Sequence, residues 1–412
     1  MKDMFGRNIE FIDTKENNLT INVNSILLHS KYYPIKESKV FIDNHIGLVK
    51  NKDVIVVYGL GMGYHIIELL NRVDSKCKIK VFDLDEELFK LTSQKEVMKK
   101  VLKDTRIELH IGDYKFFQQF ARALDRVEDF ILHKQSLKVL PSKYDDFKNT
   151  INRFQIARIA VDEFKDTMDK NYKLNCNVVH NRIEEFIEQT SLNHKPILLV
   201  SAGPSLDMEI NNIKLVKGKV IIFAVARVLK NLLKKGIEPD MICIIDPQDV
   251  VYYNQIKGYE NLDIPLCFLS TANHKAVKSY NGPKYMFYNH KIGNNLVIDT
   301  GKSVATAIMS IAIKCGADTI MLVGQDLAFV NNKTHCGDYE GNKIKTKENL
   351  YKKVMSVNGE MLNTTDGLLY FKYWIENTIC KNKDIRFINC SKGARIKGTY
   401  EMELLDAISK YC

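Results

Sequence analysis

The sequence predicts an α/β protein built from two Rossmann-like units that are joined by a helical connector. Residues 51–140 and 196–335 each alternate short apolar runs with helix-patterned segments, which is typical of parallel strands covered by helices. Residues 141–195, between them, are rich in charge and carry apolar residues at helical spacing. With 412 residues the chain is long enough for both units to have their own core. We further predict a β-rich cap at residues 1–50 and a C-terminal segment at residues 336–412 that completes the second unit.

The composition limits the classes of function that need to be considered. Apolar residues make up 45% of the chain and charged residues 27%, as in soluble globular proteins. The net charge of +10 is spread along the chain without an Arg-rich block, so we expect no nucleic-acid partner. The nine cysteines form no C-x-x-C pair, which indicates buried thiols in a reducing compartment. There is no secretory leader pattern and no apolar run of ~18 residues, so we expect a cytoplasmic protein without membrane insertion.

The cap is predicted from short β-type segments. Residues 8–13, 19–23 and 40–42 alternate or carry β-branched side chains, and turn-forming residues separate them. No catalytic group of residues stands out in this part of the chain.

A glycine-rich turn marks the first Rossmann-like unit. The apolar run Val54–Tyr58 is followed by Gly59-Leu-Gly-Met-Gly63 and a helical pattern. The next predicted strand ends at Asp83 and Asp85, and the third leads into Gly112-Asp113. This layout is typical of an S-adenosylmethionine-type cofactor site. Two interpretations remain open, a cofactor site or a turn whose glycines serve packing alone.

A second small-residue turn opens the second unit. The apolar run Ile197–Val200 leads into Ser201-Ala-Gly203-Pro204-Ser205, where a helix is predicted to begin. Free N–H groups at such a helix start suit the phosphate of a nucleotide. An ordinary connection from strand to helix is the alternative.

Polar residues follow other strands of the same predicted sheet. Asp246-Pro-Gln248 ends one strand, and Gly324-Gln325-Asp326 ends another. Ligands of parallel sheets lie at the carboxyl ends of the strands, so we expect these residues to line one cleft. Thr300-Gly301-Lys302-Ser303, before an apolar helix, forms a second candidate anion site. Arg227, after the strand at 219–226, could contact a phosphate, although a surface position suits it better.

Four motifs together resemble the motility-associated factor (Maf) family of bacterial flagellin glycosyltransferases. They are SAGPSLD (201–207), IDPQ (245–248), the run at 300–329, and NCSKGARIKGT (389–399). The central domain of that family is shared with 6-hydroxymethylpterin diphosphokinase-like proteins. The Gly-Pro-Ser-Leu turn is also similar to sialyltransferases that use CMP sugars, so the second unit is expected to be sialyltransferase-like. The resemblance implies transfer of a nonulosonic acid, of the pseudaminic or legionaminic type, from a CMP donor to Ser or Thr of flagellin.

The resemblance and the chemistry of the residues together give candidate roles for individual residues. The implied contacts to the donor nucleotide are Ser201, Gly203, Pro204, Ser205, Asp246, Gln248, Thr300, Gly301, Ser303, Gly324, Gln325 and Asp326. His335, in a polar loop, is the first candidate for the catalytic base because its unperturbed pKa lies near neutrality, and Asp326 is the second. No cofactor is certain; Asp246 and Asp326 could bind Mg²⁺ or Mn²⁺.

Three other functions stay open at this point. A pterin diphosphokinase would use ATP and Mg²⁺ in the same cleft. A methyltransferase would use the glycine turn at residues 59–63 together with Asp83. A non-enzymatic role in flagellar assembly would need none of these sites.

Overall fold

A computed structural model describes residues 2–112, 115–124, 127, 129–190, 192, 195–337 and 351–412, with the backbone alone for residues 153–163. The chain forms two compact units, Met1–Asn152 and Arg153–Cys412. Each contains a parallel sheet flanked by helices, which confirms the predicted α/β class with two Rossmann-like units.

The first unit combines a small antiparallel sheet with a four-stranded parallel sheet in the order β6-β5-β4-β7. The small sheet contains β1 (Ile9–Asp13), β2 (Leu19–Val23) and β3 (Ile26–Leu27). The parallel sheet contains β4 (Val54–Tyr58), β5 (Lys78–Asp83), β6 (Ile107–Ile111) and β7 (Ile131–Leu132). The helices are α1 (Pro34–Asp43), α2 (Tyr64–Arg72), α3 (Glu86–Thr92), α4 (Glu96–Lys103), α5 (Phe116–Leu124) and α6 (Lys134–Val139). Helix α7 (Asp145–Asn175) begins in this unit and ends in the second.

The predicted strand at residues 40–42 is wrong, because these residues lie in helix α1. Pro34 starts this helix, where its fixed φ and missing N–H cost nothing. Pro34, Ser38 and Ile42 are buried at four-residue spacing, whereas Val40 is 51% exposed. A three-residue window of β-branched character was too short to show this helical period.

The second unit is organised around nine parallel strands of the described residues, in the order β18-β17-β14-β9-β10-β11-β12-β13-β8. These strands are β8 (Asn181–Arg182), β9 (Ile197–Val200), β10 (Ile221–Val225), β11 (Met241–Ile244), β12 (Leu266–Leu269), β13 (Lys284–Phe287), β14 (Thr319–Val323), β17 (Arg386–Asn389) and β18 (Tyr400–Glu401). A separate hairpin contains β15 (Lys352–Met355) and β16 (Met361–Thr364). The helices are α8 (Ile183–Gln189), α9 (Leu206–Val216), α10 (Leu229–Lys234), α11 (His274–Ser279), α12 (Val304–Lys314), α13 (Asp366–Lys381) and α14 (Leu404–Tyr411).

The strand order places a crevice beside β9. From β9 the chain builds β10, β11, β12 and β13 toward one side of the sheet, and β14 then pairs with β9 on the other side. The order therefore reverses between β9 and β14, and ligands of such sheets bind outside the carboxyl ends at this switch point. Both strands are fully buried, so the residues that follow them are positioned by the rigid edge of the core.

Candidate functional site

A cleft of about 320 Å³ opens at the switch point of the second unit. Its walls come from the turns after β9, β10, β11 and β14, from the start of α12, and from Thr334 and His335. Leu368 and Phe371 of α13 add an apolar side. A pocket of this size, with a few polar groups on a mostly rigid frame, is large enough for part of a nucleotide.

The turn after β9 packs directly against the turn after β14. The N–H of Gly203 donates to the Gly324 carbonyl at 2.7 Å. A Cβ atom added at Gly203 would lie 2.4 Å both from that carbonyl and from Asp326 Oδ2. Only glycine fits here, because the neighbours are backbone and a buried carboxylate.

Asp326 holds the same turn from the side. Its carboxylate is 2% exposed and accepts from the Ser205 N–H at 2.7 Å. Burial raises the pKa of Asp326, although hydrogen bonds from Ser205 and from backbone N–H groups oppose the shift. The N–H groups of Gly203 and Ser205 are thus already used within the protein. For this turn the geometry favours a shaped wall of the cleft over the phosphate cradle that the sequence suggested.

Gln325 presents a defined polar group at the cleft. The Ser201 hydroxyl donates to Gln325 Oε1 at 2.7 Å, and the Gln325 N–H donates to Ser391 Oγ at 2.8 Å. Because Oε1 is occupied, the side chain offers its NH₂ group to a ligand. Such a donor suits a carbonyl oxygen, a ring nitrogen or an anion.

The turn before α12 differs from the turn after β9, because it opens onto the cleft with the N-terminus of a helix. Gly301 (φ +49°) and Lys302 (φ +61°) both adopt the left-handed region, and Ser303 Oγ accepts from the Ala305 N–H. Residues 302–305 line the cleft, so the N-terminus of an 11-residue helix faces it. A helix N-terminus attracts anions, and burial lowers the pKa of the Lys302 ammonium group beside it.

Thr300 and Gly301, at the beginning of this turn, do not line the cleft. The Thr300 carbonyl accepts from the Thr306 hydroxyl, and Gly301 lies against the ring of Trp374. The carboxylate of Asp299 accepts from the Gly301 N–H and from Trp374 Nε1. These residues determine the shape of the turn.

Arg227 and His335 also line this cleft. Burial and the positive charge of Arg227 lower the pKa of His335 to about 4, so its imidazole is neutral at pH 7. His335 Nδ1 lies 3.1 Å from Thr334 Oγ1. With Nδ1 protonated and donating to that hydroxyl, the lone pair of His335 is on Nε2.

The structure brings most of the predicted site residues together. Those that line the cleft are Ser201, Gly203, Pro204, Asp246, Ser303, Gly324, Gln325, Asp326 and His335. Ser205, Gln248, Thr300 and Gly301 lie off its surface; Ser205 is fully buried and Gln248 is exposed beyond the β11 turn. Sequence reasoning left Lys302 unassigned, treated Arg227 as a surface residue and missed Gln255, which lines the cleft from a π-helical turn. The position of Arg227 directly after a strand was the available signal.

Known proteins share the domain and the fold described above. Residues 166–332 match the family model described as 6-hydroxymethylpterin diphosphokinase MptE-like. The second unit therefore carries an MptE-like domain. The chain is also similar to a solved structure described as a MAf glycosyltransferase from Magnetospirillum magneticum AMB-1. The identity is 14% and the TM-score 0.52, over 96% of this chain and 70% of that one. The predicted resemblance is confirmed for the domain and for the fold, and no curated protein matches the chain.

Two carboxylates of the MptE-like domain line the cleft, Asp246 and Asp326. Asp246 Oδ1 already accepts from the Gln248 N–H at 2.9 Å. Among the described residues of this domain no group of three His, Cys, Asp or Glu side chains has metal-ligand spacing. A divalent cation here would take its other ligands from water and from phosphate oxygens, as Mg²⁺ commonly does.

A cluster of three buried histidines lies in the first unit, away from the MptE-like domain in sequence. Ligand atoms of His29, His65 and His133 lie within 4.8 Å of one another. The rings of His65 and His133 are nearly parallel, at 10° and 4.5 Å, so their lone pairs do not converge on one point. His29 Nε2 accepts from the Met62 N–H, and His133 Nδ1 is bonded to Ser136. The geometry favours neutral packed rings over a metal centre.

The glycine turn of the first unit is closed by the protein's own side chains. Asp83 accepts from the Leu60 N–H at 2.7 Å, and Asp85 accepts two hydrogen bonds from the Arg7 guanidinium. A Cβ at Gly59 would lie 2.7 Å from the Ser136 side chain. The groups that S-adenosylmethionine would use are already bound, so of the two open interpretations the structure favours packing.

No helix of the described residues is long and apolar enough to span a membrane.

Proposed function

We propose that this chain is a glycosyltransferase that moves a nonulosonic acid, of the pseudaminic or legionaminic type, from a CMP donor to Ser or Thr of flagellin. The observation that carries the proposal is the cleft at the switch point, where three of the four motifs that resemble the Maf family (201–207, 245–248 and 300–329) contribute residues to one surface. The MptE-like domain and the fold shared with a MAf glycosyltransferase support it.

The charge of the cleft suits this class of donor. A CMP-activated nonulosonic acid carries a phosphate and, on the anomeric carbon, a carboxylate. The cleft has two positive regions, the N-terminus of α12 with Lys302, and the guanidinium of Arg227. We assign the carboxylate to the first region and the phosphate to the second. The NH₂ group of Gln325 then hydrogen-bonds an acceptor atom of the nucleoside.

His335 is the proposed base. Its Nε2 takes the proton from the acceptor hydroxyl while that oxygen forms a bond to the anomeric carbon. The bond from the anomeric carbon to the phosphate oxygen breaks, and CMP leaves with the electron pair. Arg227 stabilises the charge on the departing phosphate. The imidazolium afterwards releases its proton to water.

Asp326 stays the second candidate for the base. Its raised pKa makes it a stronger base than an exposed carboxylate. Its Oδ2, however, is held by the Ser205 N–H, and the side chain supports the turn after β9. If Mg²⁺ or Mn²⁺ binds, Asp246 and Asp326 would hold it, and the ion would neutralise phosphate charge.

The direct test is transfer from a CMP-nonulosonic acid to purified flagellin, followed by mass spectrometry of the flagellin. We expect a mass increase of one sugar per modified residue, lost in His335→Asn. A melting-temperature increase with CMP, weakened in Gln325→Ala, locates the donor in the cleft. Failure of CMP to stabilise the folded protein would refute the donor assignment.

A pterin diphosphokinase is the second candidate, because the matching family model carries that description. That reaction takes a diphosphate from ATP, and it predicts stabilisation by ATP with Mg²⁺ and turnover of a hydroxymethylpterin. Stabilisation by ATP with Mg²⁺ and none by CMP would favour this candidate over ours.

A further inference from the structure

Arg227 contributes a charged side chain to the cleft from a turn whose other residues are buried. Its neighbours in sequence, Ala226 and Val228, are 1% and 0% exposed, and they belong to a short 3₁₀ turn that directly follows β10. The Arg227 side chain itself is exposed and lines the cleft. Within the described residues it makes no hydrogen bond or ion pair. The backbone of Arg227 is therefore held in place, and its guanidinium is accessible to an anionic ligand.

The segment that carries His335 is anchored as well, and it lies beside helix α10, which follows Arg227: Asn231 Nδ2 donates to Cys336 Sγ at 3.9 Å. The Cys336 N–H donates to the Ala202 carbonyl at 2.9 Å, and the Gly337 N–H donates to the Asp207 carboxylate at 3.0 Å. These bonds tie the residues after His335 to the turn after β9 and to the start of α9. Arg227 and His335 thus face the same cleft from two anchored segments.

The charged groups around His335 can be named. Arg227 acts on it from the β10 side, and its charge opposes protonation of the imidazole. Asp246, Asp326 and Lys302 line the same cleft, and Asp207 pairs with Lys333 at 3.9 Å. The adjacent Cys336 thiol stays neutral, because burial raises its pKa to about 11. Arg227 is the cation whose effect on His335 an incoming anion would remove.

We propose that Arg227 binds the phosphate of the donor and thereby makes His335 able to accept a proton only while the donor is bound. This inference rests on the proposed function, in which His335 is the base. Without a ligand, the burial of the ring and, in addition, the positive charge of Arg227 keep His335 a weak base. A phosphate on the guanidinium cancels that charge and adds a negative one nearby, which favours the imidazolium. The base is then strong enough for an acceptor hydroxyl when donor is present, and weak when it is absent.

The experiment follows the pKa of His335 by NMR on protein with isotope-labelled histidine, with the resonance assigned from His335→Asn. The probes are CMP, cytidine and inorganic phosphate. We expect CMP to raise the pKa by ~1–3 units, as an opposite charge within hydrogen-bonding range does, and cytidine to leave it unchanged. Inorganic phosphate should also raise the pKa of His335. An equal effect of CMP and cytidine, or no effect of either anion, would overturn the proposal.

Variants of Arg227 separate the charge from the shape of the side chain. In Arg227→Gln the ligand-free pKa of His335 should rise and the effect of CMP should disappear. In Arg227→Lys the ligand-free pKa should stay near the wild-type value, and CMP should still raise it. Lys234→Gln is the matched control, since it removes an exposed cation of the same unit away from the cleft and should change neither value. A ligand-free pKa that is the same in Arg227→Gln and in the wild type would contradict the coupling.

The two proposals fail separately. The titrations involve no sugar transfer, so intact coupling in a protein that transfers no sugar would refute the proposed function alone. Transfer by a protein whose His335 does not respond to CMP or phosphate would refute the coupling alone.

Discussion

Replacement of Gly203 by alanine tests how closely the turns after β9 and β14 are packed. The new Cβ would lie 2.4 Å from the Gly324 carbonyl oxygen and from Asp326 Oδ2. An ordinary contact is about 1 Å longer, so a backbone carbonyl and a hydrogen-bonded carboxylate must both move. Crowding of this kind in a well-packed region costs about 1–3 kcal/mol.

The expected result is a lower melting temperature and weaker CMP binding. For a unit of this size, about 1–3 kcal/mol corresponds to a decrease of roughly 2–12 °C, which differential scanning calorimetry resolves. CMP binding, measured by isothermal titration calorimetry, should weaken as well, because both displaced groups line the cleft. Gly393→Ala should behave similarly, since its Cβ would lie 2.1 Å from the Asp326 carbonyl oxygen.

Gly367→Ala is the matched control in the same unit. Its Cβ would meet only Thr365 Oγ1, at 3.8 Å, and the residue lies in α13 with an ordinary φ. Alanine in a helix is more stable than glycine by up to about 1 kcal/mol, so this variant should melt at the same temperature or slightly higher. If Gly203→Ala were as stable as Gly367→Ala and bound CMP as well as the wild type, the close packing of the two turns would be refuted.

Three further predictions follow from the site and from the first unit. Ser201→Ala frees the Gln325 side chain from its fixed orientation, and loss of one hydrogen bond of about 1 kcal/mol should weaken CMP binding roughly fivefold in calorimetry; unchanged affinity would count against the assigned role of Gln325. Burial lowers the pKa of His65 from 6.5 to about 3, so the unfolded chain binds more protons between these values and stability falls as the pH drops below 6.5. By pH 5 His65 accounts for about 2 kcal/mol of lost stability, and His65→Gln should reduce the difference between pH 8 and pH 5 by that amount in denaturant titrations. Asp83, whose pKa is raised to about 6, changes the stability in the opposite direction as the pH falls, and it does so equally in the wild type and in His65→Gln. An equal pH dependence of His65→Gln and of the exposed control His290→Gln would contradict the prediction. Saturating S-adenosylmethionine should leave the melting temperature unchanged, whereas CMP at a hundredfold excess over its Kd should add about 2.7 kcal/mol of stability; stabilisation by S-adenosylmethionine would show that the glycine turn opens.

The sequence predicted the sheet of the second unit well because its strands are buried on both faces. Runs such as Thr319–Val323 contain only residues that suit a fully buried strand, and the structure ends this strand where the sequence predicts. The short helix α1 was not predicted because its helical period shows only over the nine residues from Pro34 to Ile42, and one of its three buried positions is a serine, Ser38. Which side of a turn faces the ligand was also not predictable. Thr300 and Lys302 are two residues apart, yet only Lys302 lines the cleft, because the left-handed backbone at Gly301 and Lys302 reverses the chain between them.

In both units a carboxylate at the end of one strand accepts a hydrogen bond from the turn after the neighbouring strand. This arrangement explains why the turn motifs alone suggested phosphate sites. In the first unit, Asp83 at the end of β5 accepts from the Leu60 N–H in the turn after the neighbouring strand β4. In the second, Asp326, just after β14, accepts from the Ser205 N–H in the turn after the neighbouring strand β9. Both carboxylates are buried and both have raised pKa values. A small-residue turn beside an acidic strand end can therefore be held by that carboxylate, so that amides such as those of Leu60 and Ser205 are not available to a phosphate. The positive region of the cleft lies instead at the start of α12 and at Arg227, which are brought there by the strand order, and the strand order is not visible in any single motif.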